Sequence, residues 1–152
     1  MKLAEALQER ADLNSRIYQL RQRIEENLKV QEGDEPDMDV NELMKEHDDV
    51  VNQLTTLVTK INLTNCSVKD NEGRTITELL SKRDSLKLML STYQGIIESS
   101  GSRNHRISRS EIKLLSTIKV ADVKTKLDAI SKQFRLIDSS IQQLNWQVDL
   151  IE

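Results

Sequence analysis

The chain has 152 residues, of which 31% are charged and 3% are aromatic, and it contains one proline and four glycines. This length predicts one domain over residues 1–152, and so few turn residues exclude a β-sandwich or a β-barrel. A net charge of −3 argues against a dedicated nucleic-acid-binding protein, because phosphate contacts need an excess of basic residues.

Composition also predicts a cellular compartment. Cys66 is the one cysteine, so no disulfide forms within the chain, which favours the reducing cytoplasm. No run of about 20 apolar residues occurs, so no transmembrane helix is expected. Residues 1–20 carry charges every few positions and are not expected to be a secretion signal.

A heptad pattern predicts the first helix over residues 2–31. Its core positions recur three and four residues apart from Leu3 to Ile24 and are apolar except for Arg10, so they line one edge of a helix. Such an edge is stable only when other helices cover it.

An acidic loop containing Gly33 and Pro36 separates this helix from the second, which is predicted over residues 40–64. Asp37 or Asp39 is the expected N-cap. A loop this short predicts antiparallel neighbours. The apolar stripe of the second helix is double, which indicates contact with at least two other helices.

The third helix is predicted over residues 76–99. Thr75 and Glu78 match a capping box, in which the N-cap hydroxyl and a carboxylate three residues later bind each other's backbone N–H groups. Gly95 lies inside this helix and is expected either to permit close helix approach or to begin fraying. Residues 112–120 are interpreted as a short irregular or extended segment, although Ile112 and Leu115 would also suit one helical turn.

The fourth helix is predicted over residues 121–151. Ten apolar positions around it keep a three-and-four spacing without a miss: Val120, Val123, Leu127, Ile130, Phe134, Ile137, Ile141, Leu144, Val148 and Ile151. The predicted fold is therefore all-α, an elongated antiparallel helical bundle or coiled-coil hairpins of about four long helices. No repeat beyond the heptads is expected.

Few residues suggest chemistry. No nucleophile–base pair and no glycine-rich phosphate loop occurs, so the protein is not expected to be an enzyme and no catalytic residues are predicted. His47 falls on the stripe of the second helix, where a partly buried polar residue at the edge of a core is the simpler interpretation. The alternative is a divalent-metal site of His47, Glu46 and Asp48, completed by other copies, because such sites need three or four ligands. No other cofactor is expected.

Charge is distributed unevenly along the chain. Residues 31–49 contain nine acids and one base, whereas residues 101–126 contain seven bases and two acids. We expect the two segments to pair within a chain or between copies. Phosphate binding by the basic segment is the less favoured alternative, because few aromatic residues are present to stack on bases.

Large apolar residues away from the main stripe predict a homo-oligomer. In the frame of the fourth helix, Trp146, Leu136 and Leu150 fall opposite the seam, where apolar groups often mark interfaces. Val51 and Val58 belong to the wide stripe of the second helix. These five residues are the predicted interface.

Several short motifs resemble a known family. They are Lys2-Leu-Ala-Glu-Ala-Leu7, Val30-Gln-Glu-Gly33 with Glu35-Pro36, Ile61-Asn62 with Thr64-Asn65, Gly73-Arg-Thr75, Ser108-Arg-Ser-Glu-Ile-Lys113 and Asn145-Trp146. Together they resemble the septicolysin-like family of small bacterial coiled-coil proteins of unknown function. The resemblance implies one all-helical domain and transfers no catalytic residue. The family name points to cell lysis, although the chain lacks the long apolar helices or alternating strands of a pore former.

The leading interpretation is thus a cytoplasmic, self-associating helical-bundle protein that acts by binding or assembly. A metal-binding protein that uses His47 is the second interpretation. A membrane-active, cytolysin-like protein is the third.

Overall fold

The computed structural model describes residues 1–101 and 115–152. Within these described residues four helices form: α1 covers Leu3–Asn27, α2 Val40–Ser67, α3 Ile76–Gly101 and α4 Val120–Gln147. The prediction of an all-α protein with four long helices is confirmed. No helix among the described residues has the length and apolar character needed to span a membrane.

The chain divides into two compact units. Unit 1 contains residues 1–69 and 143–152, and unit 2 contains residues 70–142. The last turn of α4 and the segment after it therefore belong to the same unit as α1 and α2. The prediction that the whole chain acts as one domain stays a prediction.

Unit 1 is built on an antiparallel hairpin of α1 and α2. Near the connection, the backbone N–H of Met38 donates to Asn27 Oδ1 at 3.1 Å. Further along the hairpin, the Arg16 guanidinium donates to Glu46 at 2.6 Å. The buried apolar side chains recur at heptad spacing and form one seam between the helices: Leu3, Ala6, Leu13 and Leu20 on α1, with Leu43, Val50, Leu57 and Ile61 on α2.

Unit 2 contains α3 and most of α4, which are also antiparallel. Arg83 on α3 lies 3.8 Å from Asp138 on α4, and Lys126 lies 4.6 Å from the centre of the Tyr93 ring. The later residue on α3, Tyr93, therefore contacts the earlier residue on α4, Lys126, as an antiparallel hairpin requires. Among the described residues of this unit, the buried apolar ones are Ile76, Leu79, Leu86, Ile130 and Ile141.

The predicted helix starts are correct where capping side chains define them. Asp39 caps α2 by accepting a hydrogen bond from the backbone N–H of Asn41 at 2.8 Å. The capping box of α3 also forms: Thr75 N–H donates to Glu78 at 2.6 Å, and Glu78 N–H donates to the Thr75 hydroxyl at 3.2 Å. These bonds satisfy N–H groups that have no partner inside the helix.

The predicted ends of α1 and α4 are wrong. The first helix was expected to reach residue 31 but ends at Asn27, whose side-chain amide donates to the Arg23 carbonyl and accepts from Met38. The last helix was expected to reach residue 151 but ends at Gln147. Beyond it, the N–H of Leu150 donates to the carbonyl of Met1 and not to a preceding turn of helix.

Two other boundaries differ by a few residues in the opposite direction. The helix predicted over 40–64 continues to Ser67, since the Val68 N–H still donates to the Thr64 carbonyl at 3.0 Å. The helix predicted over 76–99 continues to Gly101. Among the described residues, and apart from its chain neighbours and the nearby backbone of α3, no atom lies within 4 Å of a Cβ added at Gly95, so close approach of another described helix does not explain this glycine.

The two hairpins repeat one pattern of residues, so the expectation of no repeat beyond the heptads is wrong. Counted from the first residue of each helix, α1 corresponds to α3 and α2 corresponds to α4, both of which have 28 residues. At most corresponding positions the two hairpins share only apolar or polar character and not the same residue, so the repeat is difficult to recognise in the sequence. The identical pairs include Glu5 and Glu78, Arg10 and Arg83, Leu13 and Leu86, Ile24 and Ile97, Val40 and Val120, Ile61 and Ile141, Asn65 and Asn145, and Val68 and Val148.

Part of the sequence analysis lies outside the described residues. Four of the basic residues that are expected to pair with the acidic loop, Arg103, Arg106, Arg109 and Lys113, fall there, as do the first three residues of the segment 112–120. Residues 115–119, directly before α4, are not helical. The pairing of the two charged segments stays a prediction.

Candidate functional site

The most specific long-range arrangement in unit 1 is a pairing of two segments from opposite ends of the sequence. Lys2 and Asp149 form an antiparallel bridge. The Leu3 N–H donates to the Val148 carbonyl at 2.9 Å, and the Leu150 N–H donates to the Met1 carbonyl at 2.9 Å. We call residues 1–3 and 148–151 the clasp. It ties the chain after α4 to the start of α1.

Charged side chains reinforce the clasp. The Lys2 ammonium lies 2.9 Å from the Asp149 carboxylate and donates to the Gln147 carbonyl at 3.1 Å. The hydrogen bond from Lys2, aided by its charge, holds the pKa of Asp149 below its ordinary value. Because the pair is exposed, its main effect is to fix the register of the two segments.

A buried hydroxyl on α2 completes the clasp. Thr64 is 0% exposed and is the one buried polar residue among those that the structure describes. Its hydroxyl donates to the Lys60 carbonyl at 2.8 Å and accepts from the Ile151 N–H at 3.1 Å. A buried hydroxyl is stable only with such partners, so Thr64 connects the end of α2 to the clasp.

The connection between α2 and α3 repeats the geometry of the clasp with a covalent turn. In each place the valine after a helix is followed, two residues later, by a backbone N–H that crosses to the next helix start. The valines are Val68 and Val148. The N–H donates to the carbonyl of the residue just before the N-cap. The Asp70 N–H donates to the Arg74 carbonyl at 2.8 Å, and correspondingly the Leu150 N–H donates to the Met1 carbonyl at 2.9 Å. The Thr75 N–H donates to Glu78 at 2.6 Å, and correspondingly the Lys2 N–H donates to Glu5 at 2.7 Å.

Asp70 organises that covalent turn. Its carboxylate accepts from the backbone N–H groups of Glu72 and Arg74 at 2.9 Å each, and from the Arg74 guanidinium at 2.7 and 2.9 Å. Desolvation raises the pKa of Asp70, but the hydrogen bonds from Arg74 and Glu72 outweigh it, so the pKa lies below its ordinary value. Gly73 adopts φ +81° in the same turn, a conformation that favours glycine.

Four apolar side chains in the clasp or beside it are exposed. Met1, Leu63, Trp146 and Ile151 are all exposed, with Trp146 at 66%. Met1 and Ile151 belong to the clasp, Leu63 precedes Thr64, and Trp146 precedes Gln147, so each side chain is on a residue that is bonded in the clasp or next to one that is. We call these four residues the clasp patch.

The opposite end of the α1–α2 hairpin is also apolar in part, but it is strongly acidic. Leu28, Val30 and Met38 are exposed there. The connection between the helices carries five acids, Glu32, Asp34, Glu35, Asp37 and Asp39, and one basic residue, Lys29. Like charges would repel a second copy at this end, whereas the charges of the clasp are paired.

The structure separates the five residues of the predicted interface. Trp146 and Leu136 are exposed, whereas Val51, Val58 and Leu150 are half-buried. Leu136 belongs to unit 2 and the others to unit 1. Leu150 lies beyond α4, so the helical frame that grouped it with Leu136 does not apply.

The predicted metal ligands are only partly together. His47 Nδ1 lies 3.1 Å from Asp48 Oδ1, while the Glu46 carboxylate is bound by Arg16 on α1. Within residues 1–101 and 115–152, no three or more His, Cys, Asp and Glu side chains form a group that could hold a metal. In the repeat, His47 corresponds to Leu127, so its position belongs to the apolar stripe.

The sequence analysis missed Lys2, Thr64 and Asp149. Heptad reading assigned the segment after Gln147 to a helix, which hid its pairing with residues 1–3. Alignment of the two hairpins carried the signal, because Asn65 and Val68 recur as Asn145 and Val148 at the two junctions.

The repeated hairpins and the clasp define an all-helical protein with two related units, each of which is built on a pair of antiparallel helices. The chain belongs to a family of unknown function, DUF6847, whose model matches residues 10–150. It is similar to a functionally unknown conserved protein from Corynebacterium diphtheriae, whose crystal structure has 37% sequence identity and a TM-score of 0.90 over 99% of each chain. None of the curated proteins compared with the chain matches it.

These relationships correct the septicolysin-like resemblance, since neither the family nor the similar structure indicates it. Some of the motifs that suggested it have structural explanations. Gly73-Arg-Thr75 forms a turn and a helix cap, and Asn145-Trp146 is the end of a helix. Caps and turns of this kind recur in helical proteins and do not identify a family. The expectation of membrane lysis, which came from the family name, loses its basis.

Proposed function

We propose that this protein is a cytoplasmic assembly protein that acts by binding a second copy of itself through the clasp patch, without catalysing a reaction or binding nucleic acid. The observation that supports this proposal is the 66% exposure of Trp146 beside a neutralised ion pair. Tryptophan is the largest apolar side chain and is enriched at interfaces, where its burial contributes strongly to affinity.

The arrangement of charge favours this end of unit 1 over the other. A second copy that approaches the clasp patch meets Met1, Leu63, Trp146 and Ile151 around the Lys2–Asp149 pair. A second copy that approaches the α1–α2 connection meets five carboxylates and one lysine, a net charge of about −4. Two identical surfaces form a closed dimer only if they are self-complementary, and an apolar surface with balanced charge meets this condition.

Light scattering and fluorescence together test the proposal. Trp146 is the only tryptophan, so its emission reports one position. As protein concentration rises through the micromolar range, we expect the mass to approach that of a dimer while the emission maximum shifts to shorter wavelength. A monomeric mass throughout, or association with unchanged emission, would contradict the proposal.

A matched pair of variants locates the surface. Trp146→Ala is expected to weaken association at least tenfold. Leu88→Ala, which removes a 72% exposed residue of α3, is expected to leave it unchanged. Both substitutions remove exposed apolar area, so equal effects would show that association does not depend on the clasp patch. Circular dichroism is expected to show that both variants stay helical.

A further inference from the structure

The two edges of the α1–α2 seam differ in chemistry. On one edge, Arg16 of α1 and Glu46 of α2 form an ion pair at 2.6 Å. Charged residues that flank the seam are typical of a coiled coil of two helices. On the other edge, the residue of α2 that directly follows each buried residue of the seam is apolar: Met44, Val51 and Val58. Met44 is 43% exposed and the two valines are half-buried. We call these three residues the α2 stripe.

The second hairpin serves as an internal control for the α2 stripe. Both hairpins bury apolar residues along one seam, yet the residues of α4 that correspond to the stripe are polar: Lys124, Ser131 and Asp138. The hairpin fold therefore does not require apolar residues at these positions. Helix α1 covers only one half of the double apolar face of α2, and an apolar face this wide is typical of a helix that contacts a further helix.

The spacing of the α2 stripe suits a helical partner. Its side chains are seven residues apart, so they lie almost in line along α2 and extend over about 21 Å, or about four helical turns. Leu28 and Met38, which are 60% and 42% exposed, add apolar area where the α1–α2 connection leaves and joins the helices. A straight apolar line of this length accommodates the apolar face of an amphipathic helix.

The charge around the α2 stripe selects the sign of the partner. Residues 29–49 carry nine acids and two bases, Lys29 and Lys45. Asp48 follows Met44 by four residues and precedes Val51 by three, so it lies on the same face of α2, and its side chain is 77% exposed. A partner with basic residues beside its apolar face is attracted to this surface, whereas an acidic partner is repelled.

We propose that the α2 stripe binds an amphipathic helix of another protein whose apolar residues are bordered by lysine or arginine. Apolar contacts with Met44, Val51 and Val58 supply the affinity, and the surrounding carboxylates select a basic partner. A second copy of this chain fits less well, because its own stripe is surrounded by the same excess of acids. This surface is separate from the clasp patch, so the inference does not rest on the proposed function.

Two synthetic peptides test the proposal with the full chain. Each has about 22 residues, or three heptads, with leucines at alternating three- and four-residue spacing, and the positions beside the leucines are lysine in one peptide and glutamate in the other. Fluorescence anisotropy of the labelled peptides measures Kd. We expect the lysine peptide to bind at least tenfold more tightly than the glutamate peptide. Equal affinities, or no binding of the lysine peptide, would overturn the proposal.

Salt dependence checks the electrostatic part of the recognition. Raising the salt concentration from about 0.05 M to about 0.5 M should weaken binding of the lysine peptide at least threefold, because exposed charges are screened over a shorter distance. An affinity that does not change with salt would contradict selection by the carboxylates.

A matched pair of variants locates the site. Val51→Ser gives α2 the residue that α4 carries at the corresponding position, so the fold is expected to tolerate it. This variant should bind the lysine peptide at least fivefold more weakly. Leu136→Ser, which removes a 63% exposed apolar residue of α4, should leave binding unchanged. Equal effects of the two substitutions would contradict binding at the α2 stripe, and circular dichroism compares their helical content.

Light scattering without peptide distinguishes a partner helix from a second copy. Val51→Ser is expected to leave self-association unchanged, and a loss of self-association would show that another copy covers the stripe, which would overturn the inference. Trp146→Ala is expected to bind the lysine peptide as the unaltered protein does. Loss of peptide binding in Trp146→Ala would place the peptide at the clasp patch and contradict the inference, whereas a monomeric mass at all concentrations would contradict only the proposed function.

Discussion

The two junctions of this protein solve one structural problem in two ways. Between α2 and α3, a turn organised by Asp70 and Gly73 leads the chain directly into the next capped helix. Between α4 and α1, the same backbone pattern forms between distant segments and depends on Lys2, Asp149 and Thr64. The comparison teaches that the hairpin is the repeated element. It also teaches that a junction requires backbone hydrogen bonds between the end of one hairpin and the start of another, but not a continuous chain between them.

The largest expected effect tests whether the two hairpin seams are equivalent. Leu13 in α1 and Leu86 in α3 occupy corresponding buried positions. Leu86→Ala and Leu13→Ala should each lower the free energy of unfolding by about 2–5 kcal/mol, because each leaves a cavity in a seam. Leu86→Ala should cost more, since Leu86 is 1% exposed and Leu13 is 9% exposed. Urea unfolding measures both, and a cost below about 1 kcal/mol for either would show that the seams differ.

Acid should weaken both junctions through their carboxylates. Asp70 and Asp149 have pKa values below the ordinary 3.8, so each stabilises the folded state above that pH and loses its contribution as pH falls through the lowered pKa. We expect stability, measured by urea unfolding, to fall as pH is lowered below about 4.

Single substitutions separate the two junctions. Asp70→Asn should flatten the acid loss of stability more than Asp149→Asn, because Asp70 accepts hydrogen bonds from Glu72 and Arg74 whereas Asp149 has one exposed lysine partner. Equal flattening would indicate that the clasp and the covalent turn contribute alike. An unchanged acid transition in both variants would contradict the assignment of these carboxylates.

A smaller effect is expected at the glycines. Gly95 in α3 corresponds to Gln22 in α1, and the space around it is open. Gly95→Ala should therefore raise the free energy of unfolding by about 1 kcal/mol. Gly73→Ala should lower it by about 1–2 kcal/mol, because an alanine at φ +81° is strained. Thermal unfolding compares the two, and a destabilising Gly95→Ala would reveal a neighbour at that position.

The smallest effect concerns His47. Its counterpart in the second hairpin is Leu127, so His47→Leu should change the free energy of unfolding by less than about 1 kcal/mol, in the stabilising direction. The metal hypothesis is tested in the same experiment by adding zinc. A rise in unfolding temperature with zinc that occurs in the unaltered protein and not in the variant would support a metal site at His47.

Local sequence patterns predicted the positions and starts of the helices, whereas pairing between distant segments determines where α4 ends. Heptad spacing located all four helices, and short-range capping rules placed the starts at Asp39 and Thr75, because a cap involves side chains three residues apart at most. The end of α4 could not be read in this way. Val148 and Ile151 keep the helical spacing, yet their backbone environment is decided by residues 1–3 and by Thr64.

The candidate site was predictable only in part for the same reason. Trp146 was identified because its position conflicts with the apolar stripe, a signal that one helix contains. The clasp needed a comparison between two halves of the chain in which most equivalent residues differ. Asn65 with Asn145 and Val68 with Val148 are the pairs that mark the two junctions.

The clasp has a consequence for how the order of the helices relates to the fold. Because residues 1–3 and 148–151 already lie side by side, a short peptide could join them, and the chain could instead be opened in the turn at Gly73. Such a circular permutant would begin with α3 and finish with α2. We expect the permutant to keep its helices and both pairings, because the fold does not depend on which helix comes first in the chain.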